Sequence, residues 1–125
     1  RRVEHVGDAL AALDAMVVAS PSEGFCQALV EAWVAELPVV STAVGVVPEM
    51  EARYGRLVVP VSNPPGPEEL AAAIRQSFAA GHRDVVARAR RVAWEHFSAS
   101  QMARTFAAIV HEIVASQEAV ALCSS

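Results

Sequence analysis

The sequence contains no lysine; all ten of its basic residues are arginines. At a net charge of −4, with no arginine cluster denser than Arg88, Arg90 and Arg91, it offers no basic stripe for a phosphate backbone. Nucleic acid is therefore not an expected partner. Cysteine is scarce as well. Cys26 and Cys123 stand far apart and make no disulfide framework, so a reducing, cytoplasmic setting is expected. No apolar run approaches the roughly 20 residues a membrane-spanning helix needs. The opening RRVEHVGDAL lacks the apolar centre of a signal peptide, and it has no initiating methionine, so the chain is expected to be a piece of something longer. Aromatic residues make up only 6% against 54% hydrophobic. A core of Ala, Val and Leu follows, which suits helices packed over a small sheet and argues against disorder.

What is present is an alternation. Short apolar runs at Val3 to Val6, Met16 to Ala19, Val39 to Thr42 and Leu57 to Val61 read as strands, each bounded by Gly, Pro or Ser. Helical patterns fall between them, at about Asp8 to Leu13, Phe25 to Glu36 and Pro48 to Arg53. Continuous apolar strands that each lead into a helix indicate a parallel sheet covered on both faces. After Val61 the strand pattern stops. Pro67 and two acidic residues open a helix in PEELAAAIRQSF, and two more helices follow, about Asp84 to Phe97 and Ala99 to Leu122. On the last, Met102, Phe106, Ile109, Ile113 and Val120 make one apolar docking face. The 125 residues are thus read as one α/β domain, alternating over 1–61 and helical over 62–125.

One stretch does not fit a purely structural role. In SPSEGFCQALVEAWVAELPVVST, from Ser20 to Thr42, Glu23, Gln27 and Glu31 recur every four residues on a greasy segment. Burying a carboxylate without a partner costs several kcal/mol, so something polar is expected to face this stripe. With Ser22 or Glu23 at the helix start, Gly24 would let a ligand approach, and the amides of Gly24, Phe25 and Cys26 would favour an anion such as phosphate. Glu31 would lie about 12 Å further along the helix axis. Two carboxylates flanking a group of amides match a sugar nucleotide, with hydroxyls at both ends and a diphosphate between. The plainer alternative stays open: Glu23 caps a helix and Glu31 faces water.

The run from Asp14 to Thr42 resembles the donor-site segment of family-four glycosyltransferases of the two-domain GT-B fold. Their mark is a Glu, seven residues and a second Glu, here Glu23 and Glu31, opened by Glu-Gly-Phe. The resemblance continues through AVGVVPE at Ala43 to Glu49, GRLVVP at Gly55 to Pro60, and HFS at His96 to Ser98. It implies a Rossmann-like parallel sheet with flanking helices, the C-terminal half of a nucleotide-sugar-binding domain. It also implies retaining transfer of a sugar from a nucleotide diphosphate sugar to an acceptor hydroxyl, without a metal or other cofactor. Glu23, as catalytic residue, would hold the donor sugar together with the backbone of Gly24, Phe25 and Cys26. Glu31 would accept from the ribose.

Three departures accompany the resemblance. Cys26 replaces a usual glycine, and Val46 stands where a glycine would let backbone approach the donor, so Val46 is expected to crowd it. The family's basic clamp on the diphosphate and its acceptor-binding N-terminal domain would lie upstream of Arg1. The piece is therefore expected to need a missing domain or partner chain, to be inactive and weakly binding alone, and to self-associate or be marginally stable. A non-catalytic truncated fragment or partner subunit is the alternative, and a sugar-nucleotide epimerase a more distant one. The acceptor is not named by any residue. His5, His82, His96 and His111 show no metal-ligand spacing, and Cys26 has no histidine placed to activate it. Arg88, Arg90 and Arg91 read as a solvated face, Trp33 and Trp94 as packing.

Overall fold

Three of the apolar runs become parallel strands, each followed by a helix. The computed structural model describes residues 5–123, with side chains through Ser116. In chain order the elements are α1 (Val6–Ala11), β1 (Met16–Val18), α2 (Gln27–Val34), β2 (Val39–Ser41), α3 (Val47–Tyr54), β3 (Val59–Pro60), α4 (Pro67–Ser77), a 3-10 turn (Ala80–His82), α5 (Arg83–Phe97) and α6 (Ala99–Cys123). The strands lie in the order β1-β2-β3, with Met16 opposite Val39 and Val40 opposite Val59. The fold is mixed α/β, as the alternation predicts, and Rossmann-like, as the resemblance implies.

Burial follows the apolar pattern. Leu29, Ala32 and Trp33 on α2 are buried, as are Val39 and Val40 of β2 and Val59 of β3. On another side of the sheet, Leu70, Ala73 and Ile74 of α4 pack with Val40, Val59 and Val61. Burying a Val or Leu side chain stabilises by about 1.5–3 kcal/mol, so these two helix-to-sheet seams carry most of the cohesion. Pro67 occupies the first turn of α4 with Glu68 and Glu69 beside it, where a fixed φ and negative charge both favour the helix start.

Three expectations need correction. Of the first expected strand, Val3 to Val6, positions 3 and 4 lie outside the described residues, and Val6 opens a helix instead. Val6, Ala9, Leu10 and Leu13 repeat at helical steps, and that period wins over a four-residue apolar run. The fourth strand shrinks from Leu57–Val61 to Val59–Pro60. The amides of Leu57 and Val58 donate to Glu51 Oε1 at 2.7 and 3.1 Å, so a carboxylate from α3 takes the place of a neighbouring strand. Lastly, α2 begins at Gln27 rather than near Phe25, because Cys26 adopts a left-handed conformation (φ 61°, ψ 66°) that no helical residue shares.

The chain divides into two compact units, one running through Trp94 and the other from Glu95. The sheet and its covering helices belong to the first. In the second, Met102, Phe106, Ile109 and Ile113 are exposed along α6. Val120, on the same face by spacing, lies outside the described side chains.

Candidate functional site

All three strands run the same way, so the loops leaving them gather at one edge of the sheet. In open α/β sheets this carboxyl edge is where ligands bind. The loop after β1, residues 19–26, carries Glu23, Gly24, Phe25 and Cys26. The loop after β2, residues 42–46, carries Gly45, and the loop after β3, residues 61–66, carries Asn63.

These loops are bonded to one another. Thr42 is fully buried; its amide donates to the Val18 carbonyl at 3.0 Å and its Oγ1 to the Ser20 carbonyl at 2.8 Å. Asn63 Nδ2 donates to the Pro21 carbonyl at 2.7 Å. The Val46 amide donates to the Phe25 carbonyl at 3.3 Å. Gly45 has φ +58°, and a Cβ there would sit 2.5 Å from the Phe25 oxygen and 2.9 Å from Cys26 Cβ. Only glycine accommodates both the conformation and the close approach.

Between these anchors Ser22, Glu23, Gly24 and Phe25 are exposed. Nothing lies within 4 Å of the place a Cβ would take on Gly24, so its backbone faces open space. The α2 start has no side-chain cap, and the Leu29 amide is taken by the Cys26 carbonyl at 3.1 Å. The amides of Gln27 and Ala28, ahead of it, occupy the positive end of the helix dipole. This corrects the expected geometry: Gly24, Phe25 and Cys26 form an approach loop, and the helix start is Gln27.

The polar stripe is correspondingly shorter. Glu23 precedes α2, so the helical 12 Å spacing to Glu31 does not apply. Gln27 and Glu31 do share a face, with Gln27 Nε2 donating to Glu31 Oε1 at 3.0 Å, and Glu31 is half-buried. The partner expected opposite Glu31 is thus in part on its own helix. Val46 departs from expectation too. Its side chain is buried in the core, at 9% exposure.

The remaining singled-out residues fall elsewhere. Trp33 is buried, whereas Trp94 is 55% exposed. Arg88 donates to the Arg56 carbonyl at 3.1 Å, and Arg90 pairs with Glu36 at 2.9 Å across an exposed surface. An open hollow of about 530 Å³ lies near the opposite edge of the sheet, beside Glu36, Pro38, Phe78, His82 and Arg83. Among the described residues, no three His, Cys, Asp or Glu side chains group so as to hold a metal ion. Among them too, no helix is long and apolar enough to cross a membrane.

Sequence reasoning missed Thr42, Gly45 and Asn63 as determinants of this edge. For Gly45 a signal existed, since a glycine between apolar residues just past a strand marks a close backbone approach.

A family model described as glycosyl transferases group 1 matches residues 1–79, from the start of the chain through α4. No curated protein and no solved structure matches. The match takes in all three strands and all three loops of the carboxyl edge, over more than half of the sequence. The chain belongs to the group 1 glycosyl transferases, whose chemistry is the transfer of glycosyl groups.

Proposed function

We propose that the carboxyl edge of the sheet is the donor site of a retaining, family-four glycosyltransferase that uses a nucleotide diphosphate sugar. The chain is then the C-terminal part of its donor-binding domain. The observation that carries this reading is the loop from Ser20 to Cys26, tied down at both ends yet exposed at Glu23 and Gly24.

The chemistry assigns each group a task. Glu23 accepts hydrogen bonds from sugar hydroxyls and orients the anomeric carbon. Open space at Gly24 lets the donor reach the backbone, and the Gln27 and Ala28 amides meet charge building on the leaving diphosphate. Fixed dipoles already aimed at developing charge are the largest catalytic term available to such a site. Glu31, turned by Gln27, accepts from the ribose. An N-terminal domain or a partner chain binds the acceptor and supplies the cationic clamp. No metal is needed when amides and that clamp share the charge, and a cytoplasmic location suits nucleotide sugars.

The test uses the catalytically competent protein that contains this chain, with UDP-glucose and GDP-mannose as donors. Glu31→Ala weakens nucleotide binding by about 1.5–3 kcal/mol, the worth of a hydrogen bond to a charged acceptor. Glu23→Ala cuts turnover and leaves free UDP or GDP affinity nearly unchanged. Calorimetry and turnover showing both substitutions harmless would overturn the assignment.

A further inference from the structure

We propose that Asn63 is a positioning residue that holds the sugar-binding loop in shape from two strands away. The proposal rests on the reading of Ser20 to Cys26 as that loop. Its start is fixed by Thr42, whose hydroxyl donates to the Ser20 carbonyl at 2.8 Å. Its end is fixed by the Val46 amide on the Phe25 carbonyl at 3.3 Å. Between them a further tether, Asn63 Nδ2 on the Pro21 carbonyl at 2.7 Å, holds the loop two residues before Glu23.

The composition of the third loop explains why a side chain does this. In Asn63-Pro64-Pro65-Gly66-Pro67 the three prolines have no amide to donate. A backbone bridge across β2 to the first loop is therefore hard to build there, and the Asn63 carboxamide supplies the donor. The presenting loop is itself held from α4. Glu69 Oε1 accepts from the Ser62 amide at 2.7 Å, Glu69 Oε2 accepts from the Ser62 hydroxyl, and the Gly66 amide donates to Oε2 at 3.4 Å. A chain of bonds thus runs from Glu69 through Ser62 and Asn63 to Pro21, two residues before Glu23.

Asn63 is exposed, so water replaces its bond at little cost to global stability, and loss of the tether acts on the loop. Asn63→Asp keeps the shape and removes the donor; Asn63→Ala removes both. Both variants of the full chain should keep the wild-type urea midpoint while the heteronuclear NOE of Ser22 to Phe25 falls. In NMR titrations, affinity for UDP-glucose or GDP-mannose should drop two- to tenfold, as for one net hydrogen bond. Free UDP or GDP, lacking the sugar that Glu23 holds, should weaken by less. An unchanged NOE in the Asp variant overturns the proposal, as does an equal loss for nucleotide and nucleotide sugar, which would mark a merely structural role. Where the isolated chain, lacking the cationic clamp, binds too weakly to titrate, the affinities are taken in the catalytically competent protein that contains it. No binding of any probe there overturns the donor reading, and the NOE alone still decides what Asn63 does.

Discussion

The Val46 amide donates to the Phe25 carbonyl at 3.3 Å, so the loop after β2 forms one wall of the loop after β1. That bond brings Gly45 against the same peptide. At φ +58°, with the Phe25 oxygen 2.5 Å from a would-be Cβ, Gly45→Ala meets both backbone strain and overlap. A non-glycine residue in the left-handed region costs about 1–3 kcal/mol even without a clash. We expect an unfolding free energy from urea titration lowered by at least that amount, with chemical-shift changes concentrated at Phe25 and Cys26.

The neighbouring position responds in the opposite sense to the sequence expectation. Had Val46 crowded a ligand, a glycine there would have opened the site. Its side chain is instead 9% exposed within the core. Val46→Gly removes a buried Val, worth about 1.5–3 kcal/mol, and adds backbone freedom worth about 0.5–1 kcal/mol. The variant should unfold at lower urea with no gain in donor binding; unchanged stability would mean that Val46 is not a core residue.

Part of this architecture is legible in the sequence, for a physical reason. The apolar runs at Met16 and Val39 and the helices after them follow local periodicities, which survive folding. Glu23, Gly24 and Phe25 stand at the carboxyl edge because a strand ends at Val18 and the next helix has yet to start. The α2 boundary was not legible, since it depends on one left-handed residue, Cys26, with no characteristic composition. Nor were Thr42 and Asn63, whose bonds to Ser20 and Pro21 span 22 and 42 residues and leave no periodic trace. The Glu51 bonds reach only to Leu57 and Val58, yet they follow neither the helix nor the strand period, and they shortened the fourth strand.

Glu51 therefore has a stability role that its place on α3 does not announce. Its Oε1 accepts from both Leu57 and Val58, the first 2.7 Å away. Glu51→Ala leaves two amides beside buried side chains without an acceptor, and hydrogen bonds to a charged group are worth about 1.5–3 kcal/mol. We expect a destabilisation of that order, with faster hydrogen exchange at Leu57 and Val58. Glu51→Gln keeps a carbonyl acceptor and should recover much of the loss. Exchange at both amides as slow as wild type in the Ala variant would remove Glu51 from this role.

The pH dependence of stability should show two separate windows. His82 is 8% exposed, its Nε2 has no partner among the described residues, and Arg83 and Glu36 line the hollow beside it. Burial first, and then the nearby Arg56 charge, hold its imidazole below the usual 6.5. As pH falls through 6.5 the unfolded chain takes the proton before the folded one does. The contribution of neutral His82 is therefore complete above 6.5 and is lost as pH drops through the lower folded value. Glu69 acts further down. The Ser62 hydroxyl first, then the Ser62 amide, hold its carboxyl below the usual 4.5, with the Gly66 amide adding to them and burial opposing. Its contribution is present above 4.5 and lost as pH falls through its own folded value. Urea midpoints taken from pH 8 to pH 3 should decline first below 6.5 and again below 4.5. His82→Gln should flatten the first decline alone, and Glu69→Gln the second alone. The carboxylate also holds the loop that presents Asn63, so the lower window has a local signature: the Ser62 and Gly66 amides should lose protection as Glu69 protonates. A first decline that survives in His82→Gln would assign that window to some other group.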